Sequence, residues 1–219
     1  MVPTTLASDS IESSFRAALQ ERLGRNLYEQ VAAAHVAILG LGGLGSHAAM
    51  NLARNGVGAL TLIDFDRVEM SNLHRQQYRL CDLGRYKSDA LSEMIRTFNP
   101  LVTLHPYAVR LTPDKTISYV AEVDIILECF DDAEEKAWLV RTVRRHFPKK
   151  PLITASGMAG LNSANLIHTR QVSHNFYLCG DEVSDVEQEG ALICPRVAVC
   201  AGHQALLALR LIAGLEESK

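Results

Sequence analysis

The sequence predicts an α/β fold: a Rossmann-like, doubly wound, mainly parallel sheet with an antiparallel extension and N-terminal helices. Three observations predict it. Short apolar runs alternate with stretches of helical periodicity, the first run ends in a glycine-rich turn leading directly into a helix, and the second ends in an acidic residue. Strands that alternate with helices form βαβ units, whose crossovers cover both faces of a parallel sheet.

The elements follow in chain order. From Ile11 the apolar residues Phe15, Ala18, Leu19 and Leu23 recur at helical spacing, and Leu27, Val31 and Ala34 continue the pattern past Gly24. Residues 1–35 are therefore expected to form a helical segment of one or two amphipathic helices packed on a core domain that spans 36–219. The run 36–39 and the run 60–63 read as strands, joined by a small-residue helix over 46–54. A helix is expected over 87–97, a strand over 102–107, a strand over 124–129, a helix over 134–147 and a strand over 152–155. The stretch 165–172 reads as a strand running antiparallel to the others, followed by a polar loop over 180–190 and a final helix over 197–212. No repeat, low-complexity tract or linker divides the chain, which is effectively a single domain.

Composition narrows the function. With 219 residues, 47% hydrophobic and 21% charged, the chain suits one globular nucleotide-binding core and leaves no room for a second catalytic domain. The 22 basic and 25 acidic residues give a net charge of -3, so no basic excess favours a nucleic-acid substrate. The longest apolar stretch, 197–215, is interrupted by Gly202, His203, Gln204 and Arg210, which argues against a membrane span. Asp9 and Glu12 interrupt the N-terminal region where a secretory leader would be apolar, so the cytoplasm is the expected location. The five cysteines, at 81, 129, 179, 194 and 200, form no CxxC pair, so neither a disulfide framework nor a four-thiolate zinc site is expected.

The chemistry begins at Gly40-Leu41-Gly42-Gly43-Leu44-Gly45, a GxGxxG pattern set between an expected strand and an expected helix. Glycines let the backbone approach a phosphate, whose charge is favoured by the free N–H groups at the helix N-terminus. Asp64, at the end of the next strand, is placed to accept hydrogen bonds from ribose hydroxyls. These features fit a dinucleotide or a mononucleotide equally. The following segment brings Asp66, Asn72, Arg75 and Gln76 just beyond the strand's C-terminal end, where doubly wound sheets bind ligands, and Lys87 adds a point charge from the next helix. Several cations around a region the size of a triphosphate suit ATP better than a redox cofactor.

GLGGLGS at 40–46, DFD at 64–66, SNLHRQ at 71–76, Lys87 and ECFDD at 128–132 together resemble the E1-like activating enzymes of the ThiF/MoeB/HesA family. SGMAG at 156–160, YLCGD at 177–181 and PRVAVCAGHQA at 195–205 are similar to the shorter ThiF-type adenylyltransferases of thiamine biosynthesis. The resemblance runs from about residue 36 to 204 and makes 36–219 an E1-like ATP-binding domain. It implies that ATP and a ubiquitin-like sulfur-carrier protein ending in Gly-Gly give a carrier acyl-adenylate and pyrophosphate. By position, Gly43 and the glycine turn (Gly40, Gly42, Gly45) would face the nucleotide, Asp64 the ribose, and Asn72, Arg75 and Lys87 the phosphates. Asp131 would hold Mg2+, while its neighbour Asp132 is equally suited to capping the next helix.

The resemblance also implies a homodimer, because family members often complete the phosphate site with an arginine from a partner's N-terminal helix. Arg22 or Arg25 is similarly placed here. Some relatives link a cysteine on the loop before the last helix covalently to the carrier, and a sulfur-donor protein then acts on the product. Cys194 is the residue so placed; the alternative is an ordinary packed thiol. The larger relatives' two zinc-binding CxxC pairs are missing. His168, His174 and His203 fit no ligand pattern. Two other readings use the same motifs: a nicotinamide-dependent oxidoreductase, which leaves Asn72, Arg75, Lys87 and Asp131 without a role, and a non-catalytic scaffold, which has no need of them. Molybdopterin or another sulfur-transfer route is the alternative to thiamine.

Overall fold

The computed structural model describes residues 8–215. Two helices, α1 (Ser8–Leu23) and α2 (Arg25–Ala33), open the chain and are separated by Gly24 at φ +79°. Tyr28 and Val31 are the buried residues of α2, so it is the second helix that inserts into the core. Seven strands follow: β1 (His35–Leu39), β2 (Ala59–Ile63), β3 (Thr103–Tyr107), β4 (Ile125–Glu128), β5 (Leu152–Ala155), β6 (His168–Ser173) and β7 (Phe176–Gly180). Between and after them lie α3 (Gly43–Arg54), α4 (Lys87–Arg96), α5 (Pro113–Val120), α6 (Ala133–His146), the single-turn α7 (Val186–Glu189) and α8 (Cys194–Ile212).

The strands form one sheet in the order β3-β2-β1-β4-β5-β7-β6. Every neighbouring pair is parallel except β6 and β7. Successive side chains of a strand point to opposite faces, and β1 shows the consequence. Val36 and Ile38 join the core cluster on the face covered by α3, α4 and α8, while Ala37 and Leu39 join the cluster beneath α5 and α6. All four are fully buried, which is why the central run reads as continuously apolar rather than alternating.

The structure departs from the sequence reading in five places. The strand expected over 165–172 begins at His168, because residues 164–166 form a 3-10 turn capped by Ser163. β7 and α5 were not anticipated: β7 lies within the YLCGD motif and follows β6 after a turn at Asn175 (φ 55°), and α5 has a largely polar sequence whose start is fixed by Thr112 as N-cap and Pro113 in the first turn. The polar loop over 180–190 contains α7, capped by Asp185. Finally, α8 begins at Cys194 instead of 197, since Pro195 has no N–H to lose in a first turn. Cys194 is thus a helical residue and not a loop residue. No helix among the described residues is long and apolar enough to cross a membrane.

The strand order reverses between β1 and β4: the chain leaves β1 towards β2 on one side, and β4 pairs with β1 on the other. The crevice beyond their C-terminal ends is where open α/β sheets place ligands. The closeness of α3 to β1 at this point depends on Gly45. A Cβ there would lie 1.9 Å from the Gly40 carbonyl oxygen and 3.2 Å from Ile38 Cγ2. Gly45→Ala is expected to destabilise the fold by about 3 kcal/mol, at the upper end of overpacking costs. A urea titration that leaves the midpoint unchanged would refute this.

Candidate nucleotide-binding site

The turn after β1 is held from three directions. Gly40, at φ +89°, donates its N–H to the Ile63 carbonyl at 2.9 Å, and a Cβ on it would meet the Cys129 carbonyl oxygen at 2.8 Å. The Leu41 amide donates to Asp64 Oδ2 at 2.7 Å, and the Leu41 carbonyl accepts from the Tyr78 hydroxyl at 2.8 Å. Gly42 then caps α3 without a side chain, leaving the first-turn N–H groups without intrahelical partners. Gly42 and Gly43 line the cavity beyond the turn, whereas Gly45 does not. Gly45 therefore serves helix packing, and its expected place against the nucleotide is not found.

Asp64 sits at the tip of β2, where its Oδ1 also accepts the Asp66 amide at 2.8 Å. It is 8% exposed; burial raises its pKa above the ordinary carboxylate value, and Lys87 and the two amides oppose that rise. Lys87 is itself buried, with Nζ 2.8 Å from Asp66 Oδ2 and 3.9 Å from Asp64 Oδ2. Arg75 donates from Nη2 to Asn72 Oδ1 at 3.1 Å. Gln76 is buried, and its Oε1 has no hydrogen-bond partner among the described residues.

These groups line one cavity of about 650 Å³, within the range of small-molecule sites. Asp64, Asp66, Asn72, Arg75, Gln76 and Lys87 all face it, and so do Asp131 and Asp132 from the loop between β4 and α6. Asp132 is spent as the N-cap of α6, accepting the Glu135 amide at 2.8 Å. Asp131 is exposed and makes no hydrogen bond or ion pair among the described residues, which leaves its carboxylate available. A single free carboxylate beside a phosphate-sized cradle suits magnesium, which is held by one or two carboxylates together with phosphate oxygens.

Two further groups that line the cavity, Lys136 and Arg110, and the buried Glu128 behind Lys136 escaped the sequence reading. Glu128, fully buried at the tip of β4, accepts both short contacts of Lys136 at 2.9 Å and the Phe130 amide at 2.7 Å. Burial raises the Glu128 pKa, and Lys136 is the chief opposing influence. Arg110 reaches Glu135 at 2.5 Å and lies over the exposed Phe65 ring at 4.6 Å. The available signal was an acidic residue closing an apolar strand, with a lysine eight positions on in the next helix.

Other expected residues lie elsewhere. Arg22, in the last turn of α1, is exposed, and Arg25 sits 4.0 Å from Glu29; neither lines this chain's cavity. Cys194 is half-buried outside the cavity, its Sγ 3.8 Å from His47 Nε2. Burial lowers the His47 pKa. Cys81 is exposed and Cys129, Cys179 and Cys200 are buried, all as free thiols.

The glycine turn, the acidic strand tip and the cations around one cavity define a family arrangement, and the ThiF family profile matches residues 15–219. The chain belongs to the ThiF family. Among its relatives is a molybdopterin-synthase adenylyltransferase of Salmonella typhimurium, 32% identical over 188 residues that make up 82% of this chain and 73% of the relative. A tRNA threonylcarbamoyladenosine dehydratase of Escherichia coli is 37% identical over 139 residues, 63% of this chain and 51% of that protein. An adenylyltransferase and sulfurtransferase of Aspergillus clavatus is 37% identical over 157 residues, but the match spans only 32% of its length. The fold of the E. coli dehydratase in complex with AMP superposes with a TM-score of 0.83 at 25% identity, covering 96% of this chain and 98% of that one.

Two substitutions separate packing from binding within this ThiF-family site. Gly42 has a negative φ, and a Cβ on it would meet only Gln76 Nε2, at 3.7 Å. Gly42→Ala should therefore change stability by less than about 1 kcal/mol while weakening ATP binding at least about tenfold by calorimetry, because the added methyl projects into the cradle. Unchanged affinity would show that the turn does not hold phosphate. Lys136→Met strands the buried Glu128 charge and should cost about 3–5 kcal/mol in a urea titration, most of it recovered in the Glu128→Gln/Lys136→Met double variant.

Proposed function

We propose that this protein uses ATP to adenylate the C-terminal Gly-Gly carboxylate of a ubiquitin-like sulfur-carrier protein, giving an acyl-adenylate and pyrophosphate, for sulfur transfer in thiamine biosynthesis. The observation that carries the proposal is the convergence of the glycine turn, Asp64, Arg75, Lys87 and Asp131 on one cavity at the sheet's switch point. The presence of adenylyltransferases among the relatives supports the reaction class. The motifs at 156–160, 177–181 and 195–205 support the thiamine branch over a molybdopterin or other sulfur-carrier route.

The chemistry requires no protein nucleophile. A carboxylate oxygen of the carrier bonds to the α-phosphorus of ATP as the bond to the β-phosphate bridging oxygen breaks, and pyrophosphate leaves with its electron pair. Two anions must be brought together in line, so the enzyme contributes position and charge screening. The free amides of the first turn of α3 would hold phosphate oxygens, Asp64 would orient the ribose, and Arg75, kept in place by Asn72, would neutralise charge that grows on the leaving group. Lys87 has three donors, so it can bond a phosphate while remaining anchored to Asp66. Magnesium held at Asp131 would supply further neutralisation of the triphosphate.

On this reading the protein works in the cytoplasm as a homodimer, in which Arg22 or Arg25 of one chain approaches the cavity of the other, and a sulfur-donor protein uses the product. Cys194 is kept as the candidate for a covalent carrier link.

ATP–pyrophosphate exchange tests the proposal directly. A ThiS-like carrier ending in Gly-Gly should elicit exchange that needs magnesium and stops on chelation. Arg75→Ala should lower it at least about 100-fold, the cost of removing one transition-state donor. Asp131→Asn should raise the magnesium concentration required. Tight NAD binding without ATP binding would favour the oxidoreductase instead, and carrier binding without ATP turnover would favour the scaffold.

A further inference from the structure

Three sequence motifs were assigned no nucleotide contact by the sequence reading, and the fold brings them to one place. Gly157 of the 156–160 motif, Asp181 at the end of 177–181 and Arg196 near the start of α8 meet at the far wall of the cavity. Arg196 is 4% exposed and donates from Nη2 to Asp181 Oδ2 at 2.5 Å. Asp181 Oδ1 in turn accepts the Val183 and Ser184 amides at 3.1 and 2.8 Å and the Ser184 hydroxyl at 3.0 Å. Ser184 Oγ then accepts the Ala159 amide at 3.0 Å. Both Ser184 and Ala159 line the cavity, whereas Asp181 and Arg196 stand behind them.

The approach is tight enough to exclude any side chain at the first motif. A Cβ on Gly157, which has φ +79°, would lie 2.1 Å from Asp181 Oδ1. Backbone bonds extend the seam: the Asp181 amide donates to the Gly157 carbonyl at 2.9 Å and the Gly160 amide to the Ala191 carbonyl at 3.0 Å. Beyond the seam, Val183 and Val186 are 77% and 50% exposed, so the 183–187 stretch has few apolar anchors of its own. Its position depends on the pair behind it. Burial pushes the Asp181 carboxyl up, but the Ser184 and Val183 hydrogen bonds and Arg196 outweigh burial and hold it below its ordinary value. Among the described residues the guanidinium has no second acceptor, since its Nε and Nη1 are buried without one.

We infer that the Arg196–Asp181 pair is a positioning element for the acceptor: it fixes residues 183–187 against Met158 and Ala159 and so shapes the wall along which the acceptor's C-terminal tail reaches the nucleotide. The inference rests on the proposed two-substrate reaction and adds the part of this chain that selects the second substrate. Nucleotide contacts come from the β1–α3, β2 and β4 ends of the cavity. The acceptor wall comes from β5, from the segment after β7 and, through Arg196, from α8. A fault in the pair therefore acts on the acceptor and not on ATP.

The test uses Arg196→Lys and Asp181→Asn, with Arg196→Met/Asp181→Asn as a variant that removes both buried charges if either single change prevents folding. In carrier-dependent exchange with a ThiS-like protein ending in Gly-Gly, the KM for the carrier should rise about tenfold while the KM for ATP stays within about twofold. Arg196→Lys should be milder than the double variant. Amide hydrogen exchange should accelerate at 159–160 and 181–187 and remain unchanged in β1 and α3. Equal changes in both KM values, or exchange that accelerates through β5 and α8 as a whole, would reduce the pair to general stability and overturn the inference. Unchanged exchange at 181–187 would overturn it as well. If the wild-type protein binds ATP but no carrier elicits turnover, the proposed function falls, and hydrogen exchange alone decides whether the pair holds the wall.

Discussion

The hydrogen bond from the Leu41 amide to the buried Asp64 carboxylate ties the end of β1 to the end of β2, and the geometry of the site depends on it. A carboxylate as buried as Asp64 is costly unless its oxygens are occupied. It accepts Leu41 through one oxygen and Asp66 through the other, with Lys87 nearby. The same residue thus sets the curvature of the glycine turn, orients the loop that carries Asp66, and keeps a lysine at the cavity. Asp64 is a brace for the cradle, and it can brace both segments because the turn and the strand tip are adjacent in the sheet.

What was legible in the sequence was local. The glycine pattern, the acidic strand tip and the cation-bearing segment after it are each confined to a few residues, and their chemistry follows from backbone freedom and charge at fixed offsets. β1, β2, β4 and β5 were legible because burial on both faces makes them unbroken apolar runs. β7 was hidden because residues 177–181 were read only as a motif of the family resemblance. α5 was hidden because its buried face is only Thr116 and Val120, too little for a helical period to show. The role of Gly45 could not be told from that of Gly42 by pattern alone; only the distance from an added Cβ to the neighbouring chain separates packing from ligand approach. The Arg196–Asp181 pair was invisible for a different reason: it joins residues on separate elements, and a charged residue in sequence looks the same whether it is solvated or buried against a partner.

The buried pairs also explain how a chain with a net charge of -3 presents a site suited to polyphosphate. Glu128 at the tip of β4 is neutralised by Lys136, and Asp82, in the 3-10 turn before α4, by Arg79 and Arg85, so these two buried carboxylates are already compensated. Arg75 and Lys87 keep donors available towards the cavity, and Asp131 is the uncompensated carboxylate there. On the far side, Asp185, Glu187 and Glu189 are exposed on α7 and its approach. The cavity thus carries the basic side chains Arg75 and Lys87 at one end and an acidic rim, with Asp185 and Glu187, at the other.

The first turn of α8 is where the two ends are mechanically joined. Arg196 looks back to Asp181, Val197 lies where a Cβ on Gly43 would approach to 2.8 Å, and Cys194 looks to His47 on α3. These are three faces of one turn of a 19-residue helix whose other residues are anchored in the core, with Cys200, Ala201, Gln204 and Ala205 buried. Gln204 closes the link by donating to the Glu128 carbonyl at the tip of β4. Because those buried residues hold α8 in the core, loosening of the 183–187 wall in front of Arg196 leaves Val197 in place beside the N-terminus of α3. The 3.8 Å contact of Cys194 with His47 places that thiol on the α3 side of the turn and not on the acceptor wall. Any covalent role for Cys194 must therefore use a carrier tail that passes over the start of α8, the same turn that Arg196 and Val197 hold in register.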